Sequence, residues 1–254
     1  MKAKKSLGQH FLMDEHALEN IVDAGSVTKE DTVLEIGPGT GNLTKKLLNT
    51  GANVIAIEKD EELIPQLSTL FYSYIQSGQL ILVTGDILKI KMADLGLKEG
   101  LFKVVANIPY YITGQVIRML LGGDCQPQSV TLLVQREIAE RVIAKDNKES
   151  LLSMSVKVFG VPKICGIIKP GAFSPPPSVD SAILTIENIH HDFFTDFTPE
   201  VFFEFLKKHF TYKRKQIGGH GHIKKEAFSI CEVLPTSRPE ELSKENWKCL
   251  FLNS

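Results

Sequence analysis

Short apolar segments alternate with amphipathic segments over the first three quarters of the chain. Helical periodicity is clear after Asp14, which can cap a helix whose apolar face includes Leu18 and Ile21. The apolar segments, rich in β-branched residues, are typical of buried strands. They lie at 32–36, 53–57, 80–83, 102–106 and 130–135. This alternation predicts a doubly wound α/β fold with a mainly parallel sheet.

Three later segments are expected to finish this sheet, with antiparallel members among them. They lie at 156–159, 163–168 and 182–186. We therefore predict that residues 1–189 form one α/β domain.

The pattern changes after residue 189. Phe202, Leu206 and Phe210 recur at helical spacing, which predicts a small α-helical domain over 190–254. The stretch 207–225 contains seven Lys or Arg residues and no acid. Such a stretch is either a solvated helix face or a nucleic-acid contact, and the absence of any acid favours the contact.

Composition narrows the function classes. The net charge of −1 gives no overall basic character, so any nucleic-acid site must be a local patch. The four cysteines are far apart and form no Cys-x-x-Cys, which predicts reduced thiols in a cytoplasmic protein. We expect no metal site, and no membrane segment is apparent in the sequence.

Candidate ligand-binding residues follow three consecutive predicted strands. Gly37, Gly39 and Gly41 form a loop after the first strand, Glu58 ends the second, and Asp86 follows the third. The spacing is not that of a dinucleotide-binding loop, because Asn42 occupies the position of its last glycine. Each carboxylate alone is as typical of a solvated strand-end residue or a helix cap as it is of a ligand contact. Together they indicate an acidic rim suited to a cationic sulfonium ligand.

A fourth strand ends in Asn107-Ile108-Pro109-Tyr110. Proline stops the strand, so the Ile108 carbonyl lacks a regular partner in the sheet and lies beside the Asn107 side chain. Two acceptor oxygens and the Tyr110 ring suit a flat ring with an exocyclic amine, such as adenine. The alternative is a turn with partly buried tyrosines.

The proline-rich segment 173–177 begins with Phe173. This ring could close over the base opposite Tyr110 and hold an extruded adenine between two aromatic faces. The alternative is that Phe173 anchors the loop in the sheet edge.

These motifs together resemble the ribosomal RNA adenine N6,N6-dimethyltransferase family. The matching segments cover nearly the whole chain, at 7–12, 35–44, 85–86, 107–112, 173–182 and 238–243. Two positions depart from the family pattern. His10 stands where the family usually has Asn, and Gly218-Gly219 replace the usual continuation of the basic segment 212–217.

The resemblance implies a class I S-adenosylmethionine-dependent methyltransferase fold and dimethylation of two adjacent adenosines near the 3′ end of small-subunit rRNA. Its implied substrate is this rRNA, free or in an immature small ribosomal subunit, and we expect a monomer. With Gly39 of the loop, the expected cofactor contacts are His10, Leu12, Gly37, Glu58, Asp86 and Asn107. The expected catalytic residues are Asn107, Ile108, Pro109, Tyr110 and Phe173. RNA docking is expected at Lys213, Arg214 and Lys215.

Two alternatives stay open. The related family that methylates large-subunit rRNA shares the Asn-Ile-Pro-Tyr motif, but the Gly-Pro-Gly loop and the sequence 179–182 favour the small-subunit group. A non-catalytic RNA- or DNA-binding factor could also reuse this fold. An eroded site would mark such a factor, whereas Asn107, Pro109 and Tyr110 are intact here.

Overall fold

The computed structural model describes residues 9–212, 215–219 and 222–254. The chain divides into two compact units. The first contains the described residues up to Ala139 together with Val161–Ile189, and the second contains Glu140–Gly160 and His190–Ser254.

The first unit is built on parallel strands. The strands are β1 (Phe11–Leu12), β2 (Thr32–Ile36), β3 (Asn53–Glu58), β4 (Leu80–Thr84), β5 (Lys103–Asn107), β6 (Ser129–Gln135), β7 (Val161–Ile168), β8 (Phe173–Ser174) and β9 (Ser181–Glu187). Seven of them form one sheet in the order β4-β3-β2-β5-β6-β9-β7. The first five strands in this order, β4, β3, β2, β5 and β6, run parallel to one another. In contrast, β9 is antiparallel to both β6 and β7. This mixed α/β sheet confirms the predicted fold class.

Helices connect the strands and continue into the second unit. They are α1 (Glu15–Ala24), α2 (Asn42–Asn49), α3 (Ile64–Leu70), α4 (Tyr72–Gln76), α5 (Thr113–Gly122), α6 (Arg136–Ile143), α7 (Leu151–Lys157), α8 (Pro199–Phe210), α9 (Lys225–Ile230) and α10 (Lys244–Leu252). The predicted cap of α1 is present, since the Asp14 carboxylate accepts a hydrogen bond from the Ala17 amide at 2.7 Å.

The central strands are apolar along their length because both faces of the sheet are covered. Val33, Leu34, Val104 and Val105 have no exposed surface. Leu34 pairs in register with Ile55 of β3 on one side and Val104 of β5 on the other. The parallel register places the carboxyl ends of β2, β3, β4 and β5 at one edge of the sheet.

The predicted strand at 156–159 is wrong, because this segment ends the helix α7. The Ser150 hydroxyl accepts a hydrogen bond from the Ser153 amide at 3.1 Å, and the Ser153 hydroxyl accepts one from the Ser150 amide at 2.7 Å. This reciprocal capping starts a helix and outweighs the β-branched character of its end.

The segment 140–160, which the sequence prediction placed in the first domain, groups with the second unit. Two hydrogen bonds to main-chain carbonyls join this segment to the rest of the second unit. The Glu149 amide donates to the Glu240 carbonyl at 2.7 Å, and the Lys244 ammonium donates to the Lys157 carbonyl at 2.8 Å.

The second unit has an aromatic core. Phe202 of α8 and Trp247 of α10 have no exposed surface. Phe205, also in α8, has its ring centroid 6.0 Å from that of Trp247. Cys231 and Cys249 form a disulfide across this unit. The expectation of four reduced thiols is therefore wrong for this pair. The end of α9 and the middle of α10 bring the two Cα atoms within 5.6 Å, which sequence spacing alone does not indicate.

Among the residues described, no helix has the length and apolar character needed to cross a membrane. Nor do the described His, Cys, Asp and Glu side chains form any group of three that could hold a metal ion.

We expect Leu34→Ala to lower the free energy of unfolding by about 2–5 kcal/mol, because it leaves a cavity in the middle of the sheet. Ile81→Ala on the edge strand β4 is the matched control, since Ile81 is 52% exposed and its loss should change stability by less than about 0.5 kcal/mol. Urea unfolding followed by circular dichroism measures both. Equal effects of the two substitutions would contradict the assigned burial.

Candidate active site

A pocket opens at the carboxyl ends of β2, β3 and β5, where open α/β sheets place their ligands. It is lined by the glycine loop after β2, by the ends of β3 and β5, and by residues 85–88 and 9–12. All seven residues expected to contact the cofactor line this pocket: His10, Leu12, Gly37, Gly39, Glu58, Asp86 and Asn107. The segment 107–112 lines it as well.

The glycine loop leads from β2 into α2 through three residues in the left-handed region. Gly37, Gly39 and Gly41 have φ angles of 72°, 58° and 84°. At Gly41 a Cβ atom would come within 2.6 Å of the Phe71 ring, so this position excludes a side chain by space as well as by conformation. Gly37 and Gly39 of this loop line the pocket.

Glu58 joins this loop to the end of β3. One carboxylate oxygen accepts from the Gly39 amide at 3.0 Å and the other from the Asp60 amide at 2.8 Å. Burial raises the pKa of Glu58, while these amide hydrogen bonds oppose the rise. A carboxylate has lone pairs beyond these two bonds, so Glu58 can still accept hydrogen bonds from a ligand's hydroxyl groups.

Asp86 follows β4, the neighbour of β3 in the sheet, and lines the same pocket. Its carboxylate accepts from the Leu88 amide at 3.1 Å and pairs with the Lys59 ammonium at 2.9 Å. Lys59 holds the pKa of Asp86 below its usual value, so this carboxylate stays ionised at neutral pH. It can accept from an amine donor in the pocket.

Asn107 ends β5 with a defined side-chain orientation. Its amide nitrogen donates to the His10 carbonyl at 3.3 Å. The side-chain oxygen is therefore the atom left for another donor. Among the described residues, no backbone amide donates to the Ile108 carbonyl next to it, as the proline-terminated strand predicts. Two acceptors thus follow each other at the pocket.

Tyr110 contacts Ser181 through its hydroxyl group and His10 through its ring. The hydroxyl lies 2.6 Å from the Ser181 hydroxyl at the start of β9. The His10 imidazole lies nearly parallel to the Tyr110 ring, at 21° with centroids 6.0 Å apart, and its Nδ1 lies 2.8 Å from the Pro175 carbonyl. Burial raises the pKa of Tyr110, so the phenol is neutral. Ser181 is a neighbour that the sequence analysis did not single out, although it lies in a matching segment.

The model of one family, described as ribosomal RNA adenine dimethylase, matches residues 1–252 of the chain. The chain belongs to this family. It is accordingly an rRNA adenine dimethyltransferase of the class I, S-adenosylmethionine-dependent type, as the sequence motifs predicted.

Curated relatives of this dimethylase family match over nearly the full chain. Ribosomal RNA small subunit methyltransferase A of Dehalococcoides mccartyi (strain CBDB1) is 37% identical over 260 residues, covering 99% of this chain and 88% of the relative. The protein of the same name from Clostridium botulinum (strain Okra / Type B1) is 36% identical over 255 residues, covering 97% and 92%.

Solved structures agree with the fold of this dimethylase. A dimethyladenosine transferase from Plasmodium falciparum superposes with a TM-score of 0.78 at 26% identity, covering 96% of each chain. The 23S rRNA methyltransferase ErmE superposes with a TM-score of 0.76 at 22% identity, covering 96% of this chain and 98% of that one, which shows a shared fold.

Phe173, the remaining expected catalytic residue, lies apart from the pocket lining. It is 5% exposed and belongs to the core of the first unit. Phe173 in β8 pairs antiparallel with Leu12 in β1, so it anchors the proline-rich loop against the N-terminal segment. This placement matches the alternative of a loop anchor. A stacking role for Phe173 stays a prediction.

The expected RNA-docking residues are only partly described. Lys213 and Arg214 lie outside the described residues, whereas Lys215 is exposed in the second unit, with its ammonium 5.3 Å from the centre of the Tyr212 ring. The helix α8 ends at Phe210, and the described residues Lys215 and Gln216 are not helical. A single 3-10 turn follows at Ile217–Gly219.

Glu35 is a buried acid of this pocket to which the sequence analysis gave no role. It is 1% exposed, and its Oε2 has no hydrogen-bond partner among the described residues. Burial raises the pKa of Glu35 to about 8, with the Thr44 hydroxyl opposing and the Glu58 carboxylate adding to the rise. The sequence of β2 does not indicate that the Glu35 carboxyl is protonated, because the pKa depends on how deeply the folded structure buries this side chain.

The residues present fit the family's cofactor. S-adenosylmethionine carries positive charge, and a cation beside Glu35 would stabilise its ionised form. Glu35, Glu58 and Asp86 supply three carboxyl groups to one pocket. The Oε2 of Glu35 has no hydrogen-bond partner among the described residues, so it could accept a hydrogen bond from a ligand.

The ligand-free protein should lose stability through Glu35 as the pH rises. Folding raises the pKa of Glu35 from 4.5 to about 8, so the folded state holds this proton more tightly than the unfolded chain. The stabilising contribution of Glu35 to the free energy of unfolding is therefore fully present below pH 4.5, and it is lost as the pH rises to about 8. We expect Glu35→Gln to remove this part of the pH dependence.

Urea unfolding at several pH values between about 5 and 8.5 measures the effect, over the interval in which the linked proton is released. Glu61→Gln, at an exposed position, is the matched control and should keep the wild-type profile. A Glu35→Gln profile parallel to that of the wild type would refute the assignment.

Proposed function

We propose that this dimethylase transfers two methyl groups to the N6 atom of each of two adjacent adenosines near the 3′ end of small-subunit rRNA. The curated relatives at 36–37% identity carry small-subunit activity in their names, and these matches support the choice of substrate. The proposed methyl transfer to an adenine amine is supported by the two hydrogen-bond acceptors at Asn107 and Ile108 beside the Tyr110 ring. With this substrate, we place the protein in the cytoplasm.

The cofactor site uses the acidic rim. S-adenosylmethionine supplies a methyl group bound to a positively charged sulfur. We assign the ribose hydroxyls to Glu58, whose carboxylate is held by two backbone amides, and the adenine amine of the cofactor to Asp86. The glycine loop, with Gly37 and Gly39, lets the backbone approach the ligand, while Leu12 closes the pocket from the N-terminal segment.

The target amine needs help from the protein, because its lone pair is delocalised into the adenine ring. The Asn107 side-chain oxygen and the Ile108 carbonyl can each accept one of its two hydrogens. These bonds favour a tetrahedral nitrogen with a localised lone pair, which is electrostatic stabilisation by groups already in place. Pro109 keeps the two acceptors at the strand end, and Tyr110 stacks on the base to aim the nitrogen.

No general base is required in this scheme. The amine proton becomes acidic only once the nitrogen has gained its new bond, and it then leaves to solvent. After the first methylation one N–H remains, so only one acceptor is satisfied unless the base rotates. The second transfer therefore depends differently on Asn107.

The direct test is incubation with unmethylated small ribosomal subunits, and separately with free small-subunit rRNA, using methyl-labelled cofactor. Mapping of the labelled nucleosides should place dimethyladenosine at two adjacent positions near the 3′ end. Large-subunit rRNA is incubated in parallel, and label in that rRNA with none in either small-subunit substrate would overturn the proposal. The two substrates also distinguish free rRNA from the immature particle.

We expect Asn107→Ala to lower the single-turnover rate of methyl transfer by about 100- to 1000-fold, the usual effect of losing one preorganised polar contact to the transition state. RNA affinity should stay near that of the wild type. Asn107→Asp should impair the two transfers unequally and raise the ratio of mono- to dimethyladenosine. Nucleoside mass spectrometry measures both products.

Asn53→Ala is the matched control, because Asn53 is exposed at the start of β3, the opposite end of a strand from the pocket. It should methylate at the wild-type rate. Near-normal dimethylation by Asn107→Ala would show that the segment 107–110 is only a turn.

The basic segment of the second unit should contribute to RNA affinity. Replacing Lys213, Arg214 and Lys215 with Gln should weaken binding and flatten its salt dependence by roughly one unit of slope per lost phosphate contact. Cofactor affinity should hardly change, since the pocket lies within the first unit.

Binding titrations at several salt concentrations measure this slope. Replacing Lys29, an exposed lysine in the first unit, with Gln is the control and should leave the slope unchanged. If the triple variant keeps the wild-type slope, the segment is a solvated surface.

A further inference from the structure

The contact between the hydroxyls of Tyr110 and Ser181, at 2.6 Å, links the proposed base-stacking ring to a different part of the fold. Either oxygen can donate the proton. Because the hydroxyl lies at the far end of the tyrosine side chain, one hydrogen bond there limits the swing of the ring about the Cα–Cβ bond.

Ser181 is itself fixed. It has no exposed surface and begins β9, between Gln135 of β6 and Ile168 of β7 in register. A hydroxyl in the middle of three paired strands has little freedom to move. It is therefore a rigid reference point for the tyrosine.

The residue before Ser181 strengthens this anchor. The Asp180 carboxylate accepts from the Lys169 ammonium at 2.7 Å and lies 3.5 Å from the Arg136 guanidinium. The Asp180 carbonyl also accepts from the Arg136 amide at 3.0 Å. These contacts tie the start of β9 to the ends of β6 and β7.

We propose that Ser181 is a positioning residue for methyl transfer, which acts by holding the Tyr110 ring at the place where the target adenine stacks. The inference rests on the proposed function, because it requires that Tyr110 stacks on that adenine. Ser181 touches neither the base nor the cofactor in this scheme. Its effect passes through one hydrogen bond.

The consequence is kinetic rather than structural. A ring free to swing about the Cα–Cβ bond would still bind the base, but it would place the amine less often in line for transfer, and small misplacements reduce rates steeply. We expect Ser181→Ala to lower the single-turnover rate about tenfold, with cofactor and RNA affinities close to those of the wild type.

The test is a double-mutant cycle. Tyr110→Phe keeps the stacking ring and removes only the hydroxyl, so it should reproduce the rate of Ser181→Ala. The double variant should be no slower than either single variant, because both remove the same hydrogen bond. Ser129→Ala, at the opposite end of β6 from Gln135, is the matched control and should keep the wild-type rate.

Substrate RNA with 2-aminopurine at the target position provides a readout that general destabilisation would not move. Stacking on tyrosine quenches this base, so Ser181→Ala and Tyr110→Phe should both change the fluorescence of the bound complex. The control variant should not.

The outcomes separate the two proposals. If the wild type forms dimethyladenosine and Asn107→Ala does not, but Ser181→Ala works at the full rate, only the positioning role is overturned. Additive losses in the double variant would also overturn it. If Ser181→Ala does not fold, Tyr110→Phe decides, and a wild-type rate in that variant refutes the inference. A wild type that forms no dimethyladenosine refutes the proposed function itself.

Discussion

The hydrogen bond from the Asn107 amide to the His10 carbonyl is the contact on which the geometry of the site depends. An asparagine amide that rotates freely presents a donor as often as an acceptor, whereas the proposed chemistry needs the oxygen. The carbonyl that fixes the amide belongs to the N-terminal segment. That segment is in turn held by the pairing of β1 with β8 and by the Asn42 side chain, which donates to the Leu12 carbonyl at 2.8 Å. The end of β5 thus acquires its orientation from parts of the chain that are distant in sequence.

Besides the oriented Asn107 side chain, the pocket contains two acids, Asp86 and Glu35, that differ in their protonation state. Asp86 is partly exposed and paired with Lys59, so it is ionised, whereas Glu35 is buried without a cation and keeps its proton to about pH 8. Burying an isolated carboxylate costs several kcal/mol, and protonation avoids this cost in the ligand-free protein. A cationic cofactor would supply the missing charge. Cofactor binding would then favour the ionised form of Glu35.

Much of this fold follows from local sequence, and the exceptions have physical causes. Buried parallel strands are apolar throughout, so the segments around Leu34 and Val104 were predictable, and the carboxyl-end rule brings Glu58 and Asn107 to one edge. The segment 156–159 was mistaken because the Ser150 cap lies outside it. Two features depend on which elements pack together: the disulfide between Cys231 and Cys249, and the proton on Glu35. Local sequence patterns do not predict such tertiary contacts. Ser181 was hidden for the same reason, since its partner is 71 residues away.

The position of His10 shows why a departure from a family motif need not change the chemistry. The resemblance predicts an asparagine here, yet the atom that orients Asn107 is the main-chain carbonyl, which every residue type supplies. The imidazole has a separate place, against the Pro175 carbonyl and alongside the Tyr110 ring. A substitution at this position therefore acts on the tyrosine and the proline-rich loop, and leaves the acceptor at Asn107 where it is. For the orientation of Asn107 the side chain can vary, because that contact is made by the backbone.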